Sequence, residues 1–271
     1  MALFRVFAQK LKASGLDVKL MGPESGEIGE VTEWYFENLY NDPEIREVLG
    51  SLAYHSYWSD DNSWGKTVFG ETITEKYSDF SVDMTEWCEL PCAHSIYDFE
   101  GALLTAKVIA QDLSLSNANS WSAWVGVNNY GIGEDGEKYS DGLLVADDAF
   151  TELYTPARYY AMAHFSKYIP VGSKVVETEK NIYDYIEEKD GNGNITEANF
   201  ITNVVSFLTP DGKVVTVITN EGEDREVKFK VDRDDMTVYT TTQEKQLEET
   251  YSGNVKKITI PAKSITTVVF E

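Results

Sequence analysis

Glu86 closes the strand-like run 80–86 and is followed by Trp87. A carboxylate at such a place can attack an electrophilic carbon or accept a proton, provided that hydrogen-bond donors keep it ionised. Donors of a suitable kind lie at the end of a second run, 51–57, in Ala53-Tyr54-His55-Ser56-Tyr57. Glu24 follows a third run, 16–21, and Trp124 and Asn128 close a fourth, 120–127. Trp58, Trp64, Trp87 and Trp124 carry flat apolar rings that stack on sugar faces and equally fill cores. Taken singly, Glu86 reads as a solvated carboxylate and His55 as a satisfied structural histidine. Glu24 reads as one charge of an acidic loop shared with Glu27 and Glu30. Trp121 is expected in the core or an outer layer, and Tyr130 and Tyr139 in a loop that lines a cleft.

The elements that must position these groups follow from periodicity. Apolar positions 3, 4, 7, 8 and 11 have helical spacing, so the chain opens in an amphipathic helix that stops at Ser14-Gly15. No capping residue stands ahead of it. Further helices are expected over 28–40, 43–49 with Pro43 in the first turn, 96–113 and 156–168. Strands alternating with helices imply a parallel sheet with βαβ crossovers. The chemically capable residues gather just after each strand, which in a βα barrel is the catalytic face. From about residue 169 the pattern becomes short β runs at 175–176, 204–208, 214–218, 227–231, 238–239, 258–260 and 265–270, with turns at Asp211-Gly212 and Glu221-Gly222. The expected fold class is therefore α/β plus all-β: a parallel βα part over 1–168 and an antiparallel β-sandwich over 169–271, packed directly because no linker separates them.

Composition narrows the partners. With a formal net charge of −23, the chain repels phosphate backbones and anionic lipid, so nucleic acid and membrane surfaces are not expected. A neutral polysaccharide meets no such repulsion. No run of about 20 apolar residues spans a membrane, and the first residues lack the form of a signal peptide. Two cysteines, Cys88 and Cys92, are too few for a disulfide framework and read as free thiols or one local bridge. Zinc would need more ligands than these and nearby His94, so no metal and no cofactor are expected. The stretch Asp190-Gly191-Asn192-Gly193-Asn194 starts like a calcium loop. It then places Ile195 and Ile201 where Gly and Glu are required, so it reads as a polar hairpin tip.

Several stretches in order then resemble glycoside hydrolase family 30. They are 53–57, Met84-Thr85-Glu86-Trp87, Trp121-Ser122-Ala123-Trp124, Asp141-Gly142-Leu143, the helix 159–168 running into Ile169-Pro170-Val171-Gly172-Ser173, and 260–267. The resemblance covers nearly the whole chain. It implies a (β/α)8 barrel with a β-sandwich and cleavage of β-glycosides with retention. On that basis the four βα units here are the last four of the barrel, the C-terminal half of a TIM barrel. Glu86 is then the nucleophile, and His55, Tyr57, Trp58, Trp87, Trp124 and Glu24 surround the sugar.

The family's acid/base Glu lies in an Asn-Glu motif after the fourth barrel strand, which would precede the opening helix. This chain is thus expected to be the nucleophile half of a retaining hydrolase acting on xylan, β-glucan or glycosylceramide. The missing N-terminal half of the barrel would be its partner. The parent protein is expected to be secreted or periplasmic. The competing readings are a catalytically inactive carbohydrate-binding protein and a truncated fragment.

Overall fold

The computed structural model describes residues 1–181 and 184–271, apart from the side chains of residues 188 and 197. Helix α1 (Ala2–Ser14) ends at Gly15, whose φ of 68° is the left-handed conformation that glycine adopts without penalty. Then come β1 (Leu20–Ser25), α2 (Glu30–Asn41), the short α3 (Pro43–Arg46), β2 (Leu49–His55), α4 (Ser63–Tyr77), β3 (Ser81–Trp87), α5 (Phe99–Ser114) and β4 (Trp121–Ala123). Asp42 caps α3, Asn62 caps α4 and Asp98 caps α5, each by accepting backbone N–H groups of the first turn. The strands form one parallel sheet in the order β1-β2-β3-β4. Phe36, Leu39, Leu52, Tyr54, Phe69 and Met84 fill the core between this sheet and its helices. Each contributes about 1.5–3 kcal/mol by leaving water.

The first strand lies four residues later than its apolar run suggests, at 20–25 rather than 16–21, so Glu24 belongs to the strand itself. Helix α4 is absent from the sequence-based reading. It is rich in β-branched residues and contains Gly65 and Gly70, all weak helix formers, and its buried residues include the charged Lys66. Periodicity therefore does not reveal it. Gly70 is required by packing. A Cβ there would run into the backbone carbonyl of Leu115 at the end of α5. Helix propensity alone favours Ala over Gly by about 1 kcal/mol. The clash is with backbone and should outweigh that preference, so Gly70→Ala is expected to lose about 2 kcal/mol net. Urea unfolding followed by circular dichroism checks this, and a variant as stable as the parent refutes it.

After β4 the chain forms a loop module of short strands: β5 (Val127–Asn129), β6 (Gly131–Ile132), β7 (Lys138–Tyr139), β8 (Leu144–Ala146) and β9 (Leu153–Tyr154). The expected strand 120–127 is thus broken into two pieces in different sheets. Helix α6 (Ala157–Ser166) leads into β10 (Lys174–Val176), β11 (Tyr185–Lys189), β12 (Ile195–Phe200), β13 (Thr202–Leu208), β14 (Val214–Asn220), β15 (Arg225–Lys228), β16 (Met236–Thr241), β17 (Glu248–Gly253), β18 (Lys257–Ile260) and β19 (Ser264–Phe270). Six of these make an antiparallel sheet ordered β10-β13-β14-β19-β16-β17. One face packs Val205, Phe207, Val217 and Ile265 against α5 and α6. Phe229, Val231 and Ile258 pack with Met236, Val238, Val268 and Phe270 in a separate cluster. Strands β11 and β12 pair as a hairpin whose tip, 190–194, is tied by the Asp190 carboxylate accepting from Asn192 and Asn194 N–H.

The two parts meet through hydrogen-bonded polar groups as well as apolar ones. Gln111 Nε2 on α5 lies 3.0 Å from each of Ser63 Oγ, Asn199 Oδ1 and Asn203 Oδ1. His164 on α6 is buried with Nδ1 2.7 Å from Thr267 Oγ1 and Nε2 2.7 Å from Thr241 Oγ1. Burial pulls its pKa down to about 3, so the native ring stays neutral where an unfolded chain takes up a proton. Stability is therefore lost as pH falls below about 6.5, at about 1.4 kcal/mol per pH unit from this group. Unfolding in urea at pH 7 and pH 5 should show His164→Gln losing about 2 kcal/mol less than the parent over that interval. Equal losses refute the assignment.

Candidate active site

The four strands are parallel, so their C-terminal ends share one edge of the sheet. That edge gathers Glu24, His55, Glu86 and, just beyond β4, Trp124. Pairing is irregular at this end of every strand pair: between Pro23 and Ser25, between Tyr54 and His55, and between Met84 and Trp87. Such irregularities re-aim side chains that a regular pleat would turn away. Glu24 and Trp58 also hold left-handed backbone, with φ of 64° and 56°. For non-glycine residues this conformation is uncommon and concentrates at functional sites.

Glu86 is the centre of the cluster. Its Oε1 accepts from the Tyr57 hydroxyl at 2.9 Å and lies 3.6 Å from His55 Nδ1, an ion-pair distance rather than a hydrogen bond. His55 Nε2 is 3.1 Å from Glu24 Oε2, and the Thr85 hydroxyl donates to that same oxygen. Burial, then the bond to Glu86, raises the Tyr57 phenol well above its ordinary range, so it remains a donor. The Tyr57 hydroxyl also lies 3.8 Å from Cys88 Sγ. Burial pushes the Cys88 thiol up to about 11. It therefore stays protonated and is no competing nucleophile.

The aromatic residues divide. Trp58 is 71% exposed, with its ring 5.8 Å from that of Tyr57, and Trp124 is 49% exposed. Trp124 N–H donates to the Trp87 carbonyl at 2.8 Å, which ties the end of β4 to β3, and the Trp124–Val125 peptide is cis. Trp87 is only 2% exposed and is not an open platform. Adjacent strand residues face opposite ways, so with Glu86 at the edge, Trp87 turns into the core. There its indole donates to Asp60 at 2.8 Å and its ring packs on Trp121. Burial raises the Asp60 carboxyl to about 6, with the Trp87 bond opposing that rise. Trp64 faces a separate cleft of about 460 Å³ with Tyr185 and Phe200 beneath the β11–β12 hairpin. Tyr130 packs on Tyr154, and Tyr139 donates to Asp135, both within the loop module.

Glu24 departs from the acidic-loop reading because its carboxylate is engaged by His55 and Thr85. Sequence reasoning did not single out Thr85, although its place beside Glu86 was the available signal. It also missed Asp60 and the buried pair Lys66–Asp112 behind the strands. Asp112 Oδ1 lies 2.9 Å from Lys66 Nζ and accepts from Ser56 at 2.8 Å, and its Oδ2 accepts from Trp121 Nε1 at 3.0 Å. Cys88 and Cys92 are both free thiols. His94 contacts Glu89, and no cluster of three His, Cys, Asp or Glu groups suited to a metal exists among the described residues.

What the edge offers chemically is a carboxylate that accepts from the Tyr57 hydroxyl and has His55 Nδ1 at 3.6 Å. Such a carboxylate can act as a nucleophile toward an anomeric carbon.

Residues 196–268 match the sequence profile of the glycosyl hydrolase family 30 beta sandwich domain. A Caenorhabditis elegans protein provisionally named glucosylceramidase 1 is 26% identical over 217 residues, covering 78% of this chain. The chain spans only 37% of that relative's length. A conserved exported protein from Bacteroides fragilis superposes with a TM-score of 0.71 at 21% identity, covering 97% of this chain and 57% of that one. A family 30 endoxylanase from Clostridium papyrosolvens C71 superposes with a TM-score of 0.68 at 19% identity, covering 99% of this chain and 60% of that one. The chain is thus similar in fold to solved family 30 structures, and its residues 196–268 match the β-sandwich domain of that family. No described helix is long and apolar enough to cross a membrane.

Proposed function

We infer that this chain is the nucleophile half of a retaining glycoside hydrolase acting on β-linked glycans, with Glu86 as the attacking carboxylate. The observation that carries the reading is the convergence of Tyr57 and His55 on Glu86 Oε1 at the C-terminal edge of a parallel sheet. The four βα units, residues 1–168, serve as the last four of a (β/α)8 barrel, and residues 169–271 as its β-sandwich. The overlap of 99% of this chain with 60% of the endoxylanase supports this reading. In the parent protein the preceding half-barrel supplies the acid/base carboxylate, about 5–5.5 Å from Glu86 as retention requires. Trp58 and Trp124 provide stacking surfaces for the sugar, and Trp87 supports the nucleophile strand from behind. Xylan, β-glucan and glycosylceramide are the substrate classes favoured by the relatives. The exported neighbour supports secretion or periplasmic placement of the parent.

In the first step a Glu86 oxygen bonds to the anomeric carbon as the leaving oxygen departs with the bonding electrons and takes a proton from the acid. Water, deprotonated by the same group, then releases the sugar. The test bypasses the acid. Fluoride leaves without protonation, so 2-deoxy-2-fluoro-β-glucosyl and β-xylosyl fluorides should add one glycosyl mass to the chain, mapped to the peptide holding Glu86. A chain that is folded by circular dichroism and takes no label on Glu86 would sink this reading and favour a carbohydrate-binding role.

A further inference from the structure

Exposed rings and polar groups converge at a second place, away from Glu86. Trp64, in the first turn of α4, lines a cleft of about 460 Å³ together with Tyr185 of β11 and Phe200 of β12. That volume falls in the range of about 300–1,000 Å³ usual for small-ligand sites. Trp64 is 56% exposed and Tyr185 51% exposed, so two broad ring surfaces stay open to solvent. Neither ring belongs to the clusters that fill the core among the described residues.

The cleft is built before any ligand arrives. Ser63 Oγ donates to Asn199 Oδ1 at 2.8 Å, and Phe200 N–H donates to Ser63 Oγ at 3.2 Å. The buried Gln111 amide donates to both Ser63 and Asn199, and Asn199 Nδ2 donates to Asp61 at 2.9 Å. These bonds join α4, α5 and β12 and fix the hairpin over α4. Tyr185 meets Phe200 edge-on with ring centroids 6.4 Å apart, which steadies its ring as well. A site held in place this way spares a ligand the cost of ordering the protein.

The lining also selects a class of ligand. Beside the rings stand the Asn194 amide and the Glu187 carboxylate of the hairpin. A β-linked pyranose presents apolar C–H faces to rings and a belt of hydroxyls to amides and carboxylates. An aliphatic chain would instead leave those polar groups desolvated and unpaired. Glu187 is neutralised by Lys189 at 2.9 Å, which suits an uncharged ligand, and the net charge of −23 repels an anionic one.

We propose that the cleft between α4 and the β11–β12 hairpin is a second glycan-binding site, taking a neutral β-linked glycan with Trp64 and Tyr185 as stacking platforms. The choice of glycan rests on the glycosidase reading; the geometry of the cleft does not. Position links the cleft to the nucleophile. Helix α4 starts from the loop that leaves the C-terminal end of β2, so Trp64 stands at the same end of the sheet as Glu86. Trp58, whose ring lies 5.8 Å from that of Tyr57, is six residues from Trp64. Their Cα atoms are therefore at most about 22 Å apart. A polysaccharide held in the cleft reaches the edge with its remaining units, which raises its effective concentration at Glu86.

The test uses the full chain with ¹⁵N-labelled tryptophan, which gives six indole signals, with Trp64 assigned through Trp64→Phe. Xylohexaose or cellohexaose should shift the Trp64 indole and give a binding isotherm by calorimetry. Trp64→Ala and Tyr185→Ala should each weaken that binding about tenfold, and Trp64→Phe, which keeps a ring, should weaken it less. Both rings are half exposed, so neither replacement empties the core; should one variant fail to fold, the other decides. A Trp64 indole unmoved by millimolar amounts of either hexaose overturns the proposal. So does a response confined to Trp58 and Trp124, or an unchanged affinity in the folded alanine variants. A glycosyl label on Glu86 beside a silent Trp64 removes the second site and leaves the glycosidase reading intact. An unlabelled Glu86 beside a responsive Trp64 does the reverse.

Discussion

Replacing Glu86 by glutamine is expected to abolish glycosyl labelling, with a loss of at least about 10⁴-fold, while the far-ultraviolet circular dichroism stays unchanged. The amide is nearly isosteric and retains an oxygen that can accept from Tyr57, so the cluster should survive. It cannot act as an anionic nucleophile. The folded state should be insensitive for a second reason. Glu86 sits at the open edge of the sheet, and its side chain retains 30% exposure, so no buried charge is left unpaired by the change. Quantitative mass spectrometry of parent and variant after equal exposure to the fluorosugar reads the effect. Labelling of Glu86→Gln at another carboxylate, at the parent's rate, would show that a different residue attacks. Glu24 is the candidate to inspect in that case, because it shares the edge.

Asp112→Ala should have the largest effect on stability of any single change considered, about 3–5 kcal/mol. Lys66 and Asp112 have no exposed side-chain surface, and removing the carboxylate strands a buried ammonium. Ser56 and Trp121 lose their acceptor at the same time. The midpoint of thermal unfolding should fall by about 10 °C for a chain of this size. The double variant Lys66→Met with Asp112→Leu should recover most of that loss, since a buried ion pair gains little over well-packed apolar groups. Equal destabilisation of the single and double variants would show that shape, not the stranded charge, dominates the site. The effect should reach the edge as well. Ser56 lies between His55 and Tyr57 in the chain, and Trp121 packs on Trp87, so Asp112 supports both flanks of Glu86 from behind.

Comparing the chain with its structure separates two kinds of information. Elements defined by a strong apolar stripe were legible. The opening helix, α5 and the β runs from 204 to 270 fall close to their expected places because their burial pattern is local and periodic. Helix α4 was not legible. Its buried side includes Lys66, whose partner Asp112 is 46 positions away, and Gly70, whose need for a small side chain is set by Leu115. Strand β17 escaped for a related reason, since most of its residues are exposed and its order comes from pairing with β16. Strand β1 was displaced because its apolar run, 16–21, includes exposed residues at 16 and 18.

The sequence by itself determined the parallel βα order, the antiparallel second part, and the choice of Glu86, His55, Tyr57 and Trp124 as residues of interest. Each of these rests on periodicity or on residue types at strand ends, both local properties of a chain. Only the tertiary structure decided what those residues do to one another. It turned Trp87 inward by strand alternation and drew Glu24 into contact with His55 and Thr85. It also set the Tyr57 hydroxyl on Glu86 Oε1, 29 positions apart. These relations depend on register between strands and on irregularities at their ends, where a single residue's shift moves a side chain to the opposite face. Sequence spacing carries no record of that shift, because it is fixed by which strand lies beside which and by how their helices pack behind them.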